Sequence, residues 1–274
     1  MNEPEYDRKC YQLAKDFLQQ LNAVGVTPQL IDKYLNKTDY PKPTSLPEIY
    51  GCILHSAQNA NMKATVIGKA VGGIDKLKPV LCNFEPTDIL KKFPGGSEQV
   101  LDEIERQLKP AGKIRRTRLS LWPKFCQTIL SAAAFLTQFS DAKQFHAWVA
   151  FIAQDARTRA ALPMLLAEEI SGFGFALSCD FLKEMGYVDF GKPDVHIKDI
   201  FLALRLCTSR SDYHVHKAII RVAEHAKVTP YNADKVFWLI GSGFFYSDRH
   251  IGHDGKIGRT KDAFISWAKP QLGL

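Results

Sequence analysis

No two of the six cysteines in this 274-residue chain form a Cys-x-x-Cys pair: Cys10, Cys52, Cys82, Cys126, Cys179 and Cys207 are far apart. Such spacing argues against a zinc site or a disulfide framework and suits the reducing cytoplasm, where thiols stay free. No stretch approaches the roughly 18 consecutive apolar residues that a membrane span needs. The opening MNEPEYDRK mixes acids and bases and has no apolar signal core. A cytoplasmic protein with no membrane partner is therefore expected. Strand-like alternation is also missing, and apolar residues instead recur at spacings of three and four, so the fold class is expected to be all-α.

What is present is an ordinary globular composition, 46% hydrophobic and 24% charged, with a formal net charge of +7. The size allows a substantial core in one large or two small domains. The excess of base favours a polyanionic partner. Amphipathic spacing predicts helices over 5–23 and from Thr27-Pro28 through Tyr34, and the prolines Pro41, Pro43 and Pro47 after Thr38 mark a boundary between domains. Further helices are predicted from 47 to 71 around a turn, over 84–108 in two pieces, over 122–139 and 145–152, and over 157–170. After a Gly-rich turn they continue over 176–185, from 195 to about 206, over 214–226 and 231–242, and finally over 261–269. Trp122, Phe125, Phe135, Phe145, Trp148 and Trp238 are expected in the core, with one or two of the first five available to line a pocket. His250, His253 and Asp254 lie in a polar glycine-rich loop, and their irregular spacing does not support a metal site.

The most informative stretch runs from Glu169 to Phe201, EISGFGFALSCDFLKEMGYVDFGKPDVHIKDIF. An apolar helix end meets Gly172-Phe173-Gly174, and a second amphipathic segment follows at once. Glycine suits such a turn because it takes positive φ and lets another backbone approach. The first amides of the second helix, with the helix dipole behind them, form a place for a phosphate. A Gly-x-Gly turn is equally a plain connection. Asp194 stands before a new apolar helix (Val195, Ile197, Ile200, Phe201, Leu204), where aspartate also serves simply as an N-cap. His196, among apolar neighbours, suits a structural histidine.

This order of hairpin, helix, loop and aspartate resembles the helix-hairpin-helix DNA glycosylases, the superfamily that contains endonuclease III. Their hairpin reads roughly Leu-Pro-Gly-Val-Gly-x-Lys, and an aspartate in a Val-Asp-Thr-His-Val type segment follows eighteen positions after the lysine. Here Ile170-Ser171-Gly172-Phe173-Gly174-Phe175-Ala176 fills the hairpin, and Asp194 lies eighteen positions after Ala176. Ser171 replaces the proline and Ala176 the lysine. Two further stretches are similar: Ile53-Leu54-His55-Ser56-Ala57-Gln58, before Asn59 and Asn61, and the apolar helix Ala233 to Gly241 containing Trp238. The four-cysteine iron-sulfur loop of some relatives is absent.

The resemblance implies a two-lobed helix-hairpin-helix glycosylase fold, with a helical barrel domain over 45–187 and a second helical domain from 1–44 plus 188–274, Asp194 lying in the cleft between them. It implies a monofunctional DNA glycosylase that flips a modified base out of duplex DNA and hydrolyses its N-glycosidic bond, leaving an abasic site. Asp194 would be catalytic. Gly172, Gly174 and Ala176 would anchor phosphates through their amides, and Gln58 would fill the vacated stack, though a glutamine there also caps a helix end. Arg115, Arg116 and Arg118, in a run with no acid between Lys109 and Lys124, would grip the DNA backbone or else form only a solvated face. Alanine has no amine for a Schiff base, and Lys183, Lys192 and Lys198 do not occupy the matching place. No cofactor or metal is implied, and the protein would act as a monomer. Two alternatives stay open: a glycosylase for hypermodified phage bases in antiviral defence, and a non-catalytic DNA-binding protein of the same fold. A helical protein-interaction module is a third, unrelated reading.

Overall fold

The computed structural model describes residues 1–21, 27–35, 41–59, 66–243 and 257–274. Thr38, Asn61, His250, His253 and Asp254 lie outside the described residues. Among those described, the regular structure is all-α: fourteen helices, two short 3-10 turns and no strand. None of these helices is long and apolar enough to cross a membrane.

The chain opens with α1 (Glu3–Gln20), whose start is fixed by a reciprocal cap: Asn2 accepts from the Glu5 amide and Glu5 from the Asn2 amide. After α2 (Pro28–Leu35), the same device at Ser45 and Glu48 starts α3 (Leu46–Ala57), with Pro47 in the first turn, where a missing N–H is tolerated. Then come α4 (Val66–Val71), α5 (Pro86–Lys92), α6 (Ser97–Leu108), α7 (Leu121–Leu136), α8 (Ala142–Ala153), α9 (Ala161–Glu169) and α10 (Phe175–Glu184). Finally α11 (Val195–Ala203), α12 (Asp212–Ala226), α13 (Pro230–Ser242) and α14 (Lys261–Leu272) complete the order.

Several expected helices end earlier in the structure, those expected to reach 23 and 139 stopping at Gln20 and Leu136, and two further changes have a clear local cause. The one expected from Arg157 begins at Ala161, because the Asp155 carboxylate accepts from the Arg157 amide at 2.8 Å and from its guanidinium at 2.6 Å, closing a local turn. The one expected to reach about 206 stops at Ala203: Arg205 takes φ 54° and the Leu206 amide returns to the Phe201 carbonyl at 2.8 Å.

Backbone contacts divide the chain into two compact units, Met1–Tyr40 with Gly186–Leu274, and Pro41–Met185. In the second, α7 packs against α3, α5 and α6, and α10 against α9 and α3. Trp122, Phe125, Phe135 and Phe145 are all buried there. Phe145 meets Phe135 and Phe181 edge-on, both at a ring-centroid distance of 6.4 Å, and Trp148 at a tilt at 5.9 Å.

In the first unit α1 packs on α12, α13 and α14, and Phe201, Phe237 and Phe264 form a contiguous core. Asp7 of α1 is fully buried and is held by the Arg221 guanidinium at 2.8 and 3.1 Å and by His225 Nδ1 at 2.7 Å, both on α12. Without Asp7, Arg221 would keep only Glu3 at 3.2 Å and the Leu206 carbonyl at 2.8 Å, and the buried ion pair would be broken. Asp7→Ala is therefore expected to cost about 3 kcal/mol, read as a lower urea midpoint at unchanged slope. An unchanged midpoint would mean that apolar contacts alone hold α1 in place.

Candidate nucleic-acid interface and acidic site

The hairpin is built by α9 and α10 and carried on α7. The Ile170 carbonyl accepts from the Phe173 amide at 3.0 Å, and Gly172 takes φ 82°, which the turn needs. A Cβ on Gly172 would stand 2.8 Å from Thr128 Oγ1, so the glycine also allows the close approach to α7. Phe173 is buried and meets Phe181 at 6.1 Å, anchoring the turn in the aromatic cluster. Gly172 and Gly174 are exposed and Ala176 is half-buried. Gly174 is the N-cap of α10, and no side chain caps that helix. The amides at the start of a helix are the groups an anion would use.

Ser171, the departure from proline in the hairpin, has a use that proline cannot supply. Its amide donates to Ser131 Oγ at 2.9 Å, and its carbonyl accepts from Thr128 Oγ1 at 2.6 Å. Proline would leave Ser131 without that donor.

The basic segment lies in the loop between α6 and α7, and Arg115, Arg116 and Arg118 are all exposed. They are not equivalent. Arg116 pairs with Asp102 at 2.7 Å and with Glu105, both on α6, so its charge is already answered within the protein. The loop runs directly into α7, whose Lys124 carbonyl is 3.9 Å from a Cβ placed on Gly172. Leu119, at the end of the loop, is 78% exposed, the most exposed large apolar side chain among the described residues. Thr117 and Ser120 close the turn beneath it, with the Ser120 amide donating to the Thr117 carbonyl at 2.8 Å. Sequence reasoning did not single out Leu119; its signal was an apolar residue directly after Arg115, Arg116 and Arg118.

Gln58 is the C-terminal cap residue of α3, and its side chain is turned inward, 9% exposed. Its Oε1 lies 2.4 Å from where a Cβ on Gly68 of α4 would stand, and its Nε2 is 3.5 Å from His55 Nδ1. As it stands it does not project from the surface.

Asp194 caps α11 as its N-terminal residue. Oδ1 accepts from the amides of His196 at 2.9 Å and Ile197 at 3.0 Å, which fixes the carboxylate plane. Among the described residues no bond to Oδ2 is seen, and the residue is half-buried. The loop before it is pinned within the same unit. Phe190 is buried and stacks on His216 at 6.0 Å, His216 Nδ1 lies 3.0 Å from the Gly191 carbonyl, and a Cβ on Gly191 would be 2.6 Å from Ile219. On its other side His196 presses against α13, where a Cβ on Gly241 would meet the His196 Cβ at 2.4 Å. The aspartate is thus set on a backbone held from both directions.

Other candidate nucleophiles are unsuited to the role. Burial pushes the thiols of Cys10 and Cys126 up to about 12 and that of Cys52 to about 11, so all three stay protonated. Lys198 pairs with Asp212, and buried Lys183 lies 3.9 Å from Asp180 and 3.8 Å from Glu184. No group of three or more potential ligands that could hold a metal ion occurs among the described residues. Comparison of the chain with models of protein families, with curated proteins and with solved structures finds no match.

Proposed function

We propose that the protein is a monofunctional DNA glycosylase of the helix-hairpin-helix kind, acting as a monomer and without a cofactor on duplex DNA that contains a modified base. The observation that carries this reading is an exposed Gly172–Gly174 hairpin with no side-chain cap, followed eighteen positions beyond Ala176 by a carboxylate whose Oδ1 is held by two amides while no bond to Oδ2 is seen among the described residues.

In this reading the hairpin amides and the cations of Arg115, Arg118 and Lys124 hold the DNA backbone, and the target base leaves the stack at a cost of a few kcal/mol. Leu119 is an apolar wedge of the kind that enters between base steps. Gln58 reaches the stack only after its side chain leaves the face of Gly68. The C1'–N bond breaks with its electron pair departing on the base, and the sugar gains oxocarbenium character. Asp194 stabilises that charge through Oδ2, orients a water and takes its proton as oxygen bonds to C1'. With alanine at 176 there is no amine to form a Schiff base, so the strand is left uncut.

A non-catalytic DNA-binding protein is the second reading, favoured by the fact that Asp194 already has structural work as a helix cap. The test is to incubate the purified protein with duplex pools carrying alkylated, oxidised, deaminated or phage-type hypermodified bases and to identify released bases by mass spectrometry. Release of one class with intact strands is the expected result. Retention of DNA with no release from any pool would favour the second reading, and no retention at low salt would remove both.

A further inference from the structure

We infer that Thr128 and Ser131 of α7 are positioning residues that set the direction of the hairpin amides. The inference rests on the reading of the hairpin as a DNA-backbone site. The two hydroxyls stand one turn apart on α7 and take hold of both backbone groups of a single residue, Ser171. In a trans peptide the C=O and N–H point in opposite directions. With the Ser171 carbonyl turned onto Thr128 at 2.6 Å, the Gly172 N–H of the same peptide must point away from α7, on a residue that is exposed.

The neighbouring peptide is fixed in the same way. The Ser171 N–H is turned onto Ser131 at 2.9 Å, so the Ile170 carbonyl points away from α7, where it accepts from the Phe173 amide at 3.0 Å. Ser131 is itself committed, since its hydroxyl donates to the Gln127 carbonyl at 2.9 Å and is left to accept from Ser171. Thr128 Oγ1 also lies 3.1 Å from the Lys124 carbonyl, but the contact with Ser171 is the shorter. Without the Thr128 hydroxyl the Ser171 carbonyl loses the side-chain donor that sets its direction, and the Ser171–Gly172 peptide can flip because glycine tolerates both orientations. A flip would turn a carbonyl, not an amide, toward a phosphate.

The experiment measures binding of an unmodified duplex by fluorescence anisotropy across a salt series, for the wild type, Thr128→Val, Thr128→Ser and Ser131→Ala, with folding followed by circular dichroism. Thr128→Val keeps the branched shape without the hydroxyl and is expected to bind about tenfold more weakly at every salt concentration. The slope of log K against log salt should stay unchanged, since amides carry no charge and release no counterions. Thr128→Ser should restore binding, and Ser131→Ala should weaken it to a similar degree. Wild-type affinity in folded Thr128→Val, or a loss that Thr128→Ser does not rescue, would overturn the inference while leaving the DNA reading standing. Failure of the wild type itself to bind would overturn that reading instead.

Discussion

Asp194→Asn is expected to lower the rate of base release by on the order of 10³-fold while leaving the fold and DNA affinity intact. The separation is possible because asparagine is as good an N-cap as aspartate. Its side-chain oxygen can accept the His196 and Ile197 amides that Asp194 Oδ1 now holds, so α11 keeps its start. What disappears is the negative charge opposite the developing oxocarbenium and the oxygen that takes a proton from water. Asp194→Ala would confuse these effects, because losing the cap alone costs about 1 kcal/mol of stability. The measurement is single-turnover release from a duplex carrying the excised base, beside a melting curve and a binding isotherm. Equal rates for aspartate and asparagine would reduce Asp194 to a helix cap and leave the chemistry without a carboxylate.

Much of the helical pattern could be read from local rules. Asn2 with Glu5, Ser45 with Glu48, Asp141, Asp194 and Thr229 all cap helices that start where the apolar spacing begins. These signals lie within four residues of the structure they fix. The segment from Cys82 to Phe84 had no such signal. All three residues take positive φ, 49°, 54° and 70°, without a glycine among them. The turn is held by tertiary contact: Phe84 is buried and meets Tyr50 at 5.6 Å, against a face of α3 kept open by Gly51. Packing overrode propensity there.

The candidate site was legible to the same depth. The hairpin glycines and the aspartate announce themselves by type and order. The state of each side chain depended on partners far away in sequence. The inward turn of Gln58 follows from a missing Cβ at Gly68, and the anchoring of Ser171 from hydroxyls at positions 128 and 131, some forty residues earlier. The inequality of the arginines arises likewise, since the acids that occupy Arg116 come from the preceding helix. A run of bases shows how much charge is present but not how much is available.

That inequality sets the second large effect. Replacing Arg115, Arg118 and Lys124 together by glutamine is expected to weaken binding to duplex DNA about a hundredfold near physiological salt. Each phosphate contact contributes about 0.9 to the slope of log K against log salt, so losing three should flatten it by about 2.7. Arg116→Gln should leave the slope where it was, because its guanidinium already answers Asp102 and Glu105. Its stability cost should be small, since the Arg116 side chain is half exposed and such pairs contribute little. Binding measured over a tenfold range of salt, with all variants checked for folding, separates the outcomes. If Arg116→Gln flattened the slope by about one, Arg116 would have to leave α6 for a phosphate when DNA binds. If the triple variant kept both affinity and slope, the loop would be a solvated face and the hairpin would have to hold DNA without it. An unchanged slope would then place the counterion release on cations elsewhere in the protein, because the amides of an uncharged turn supply none.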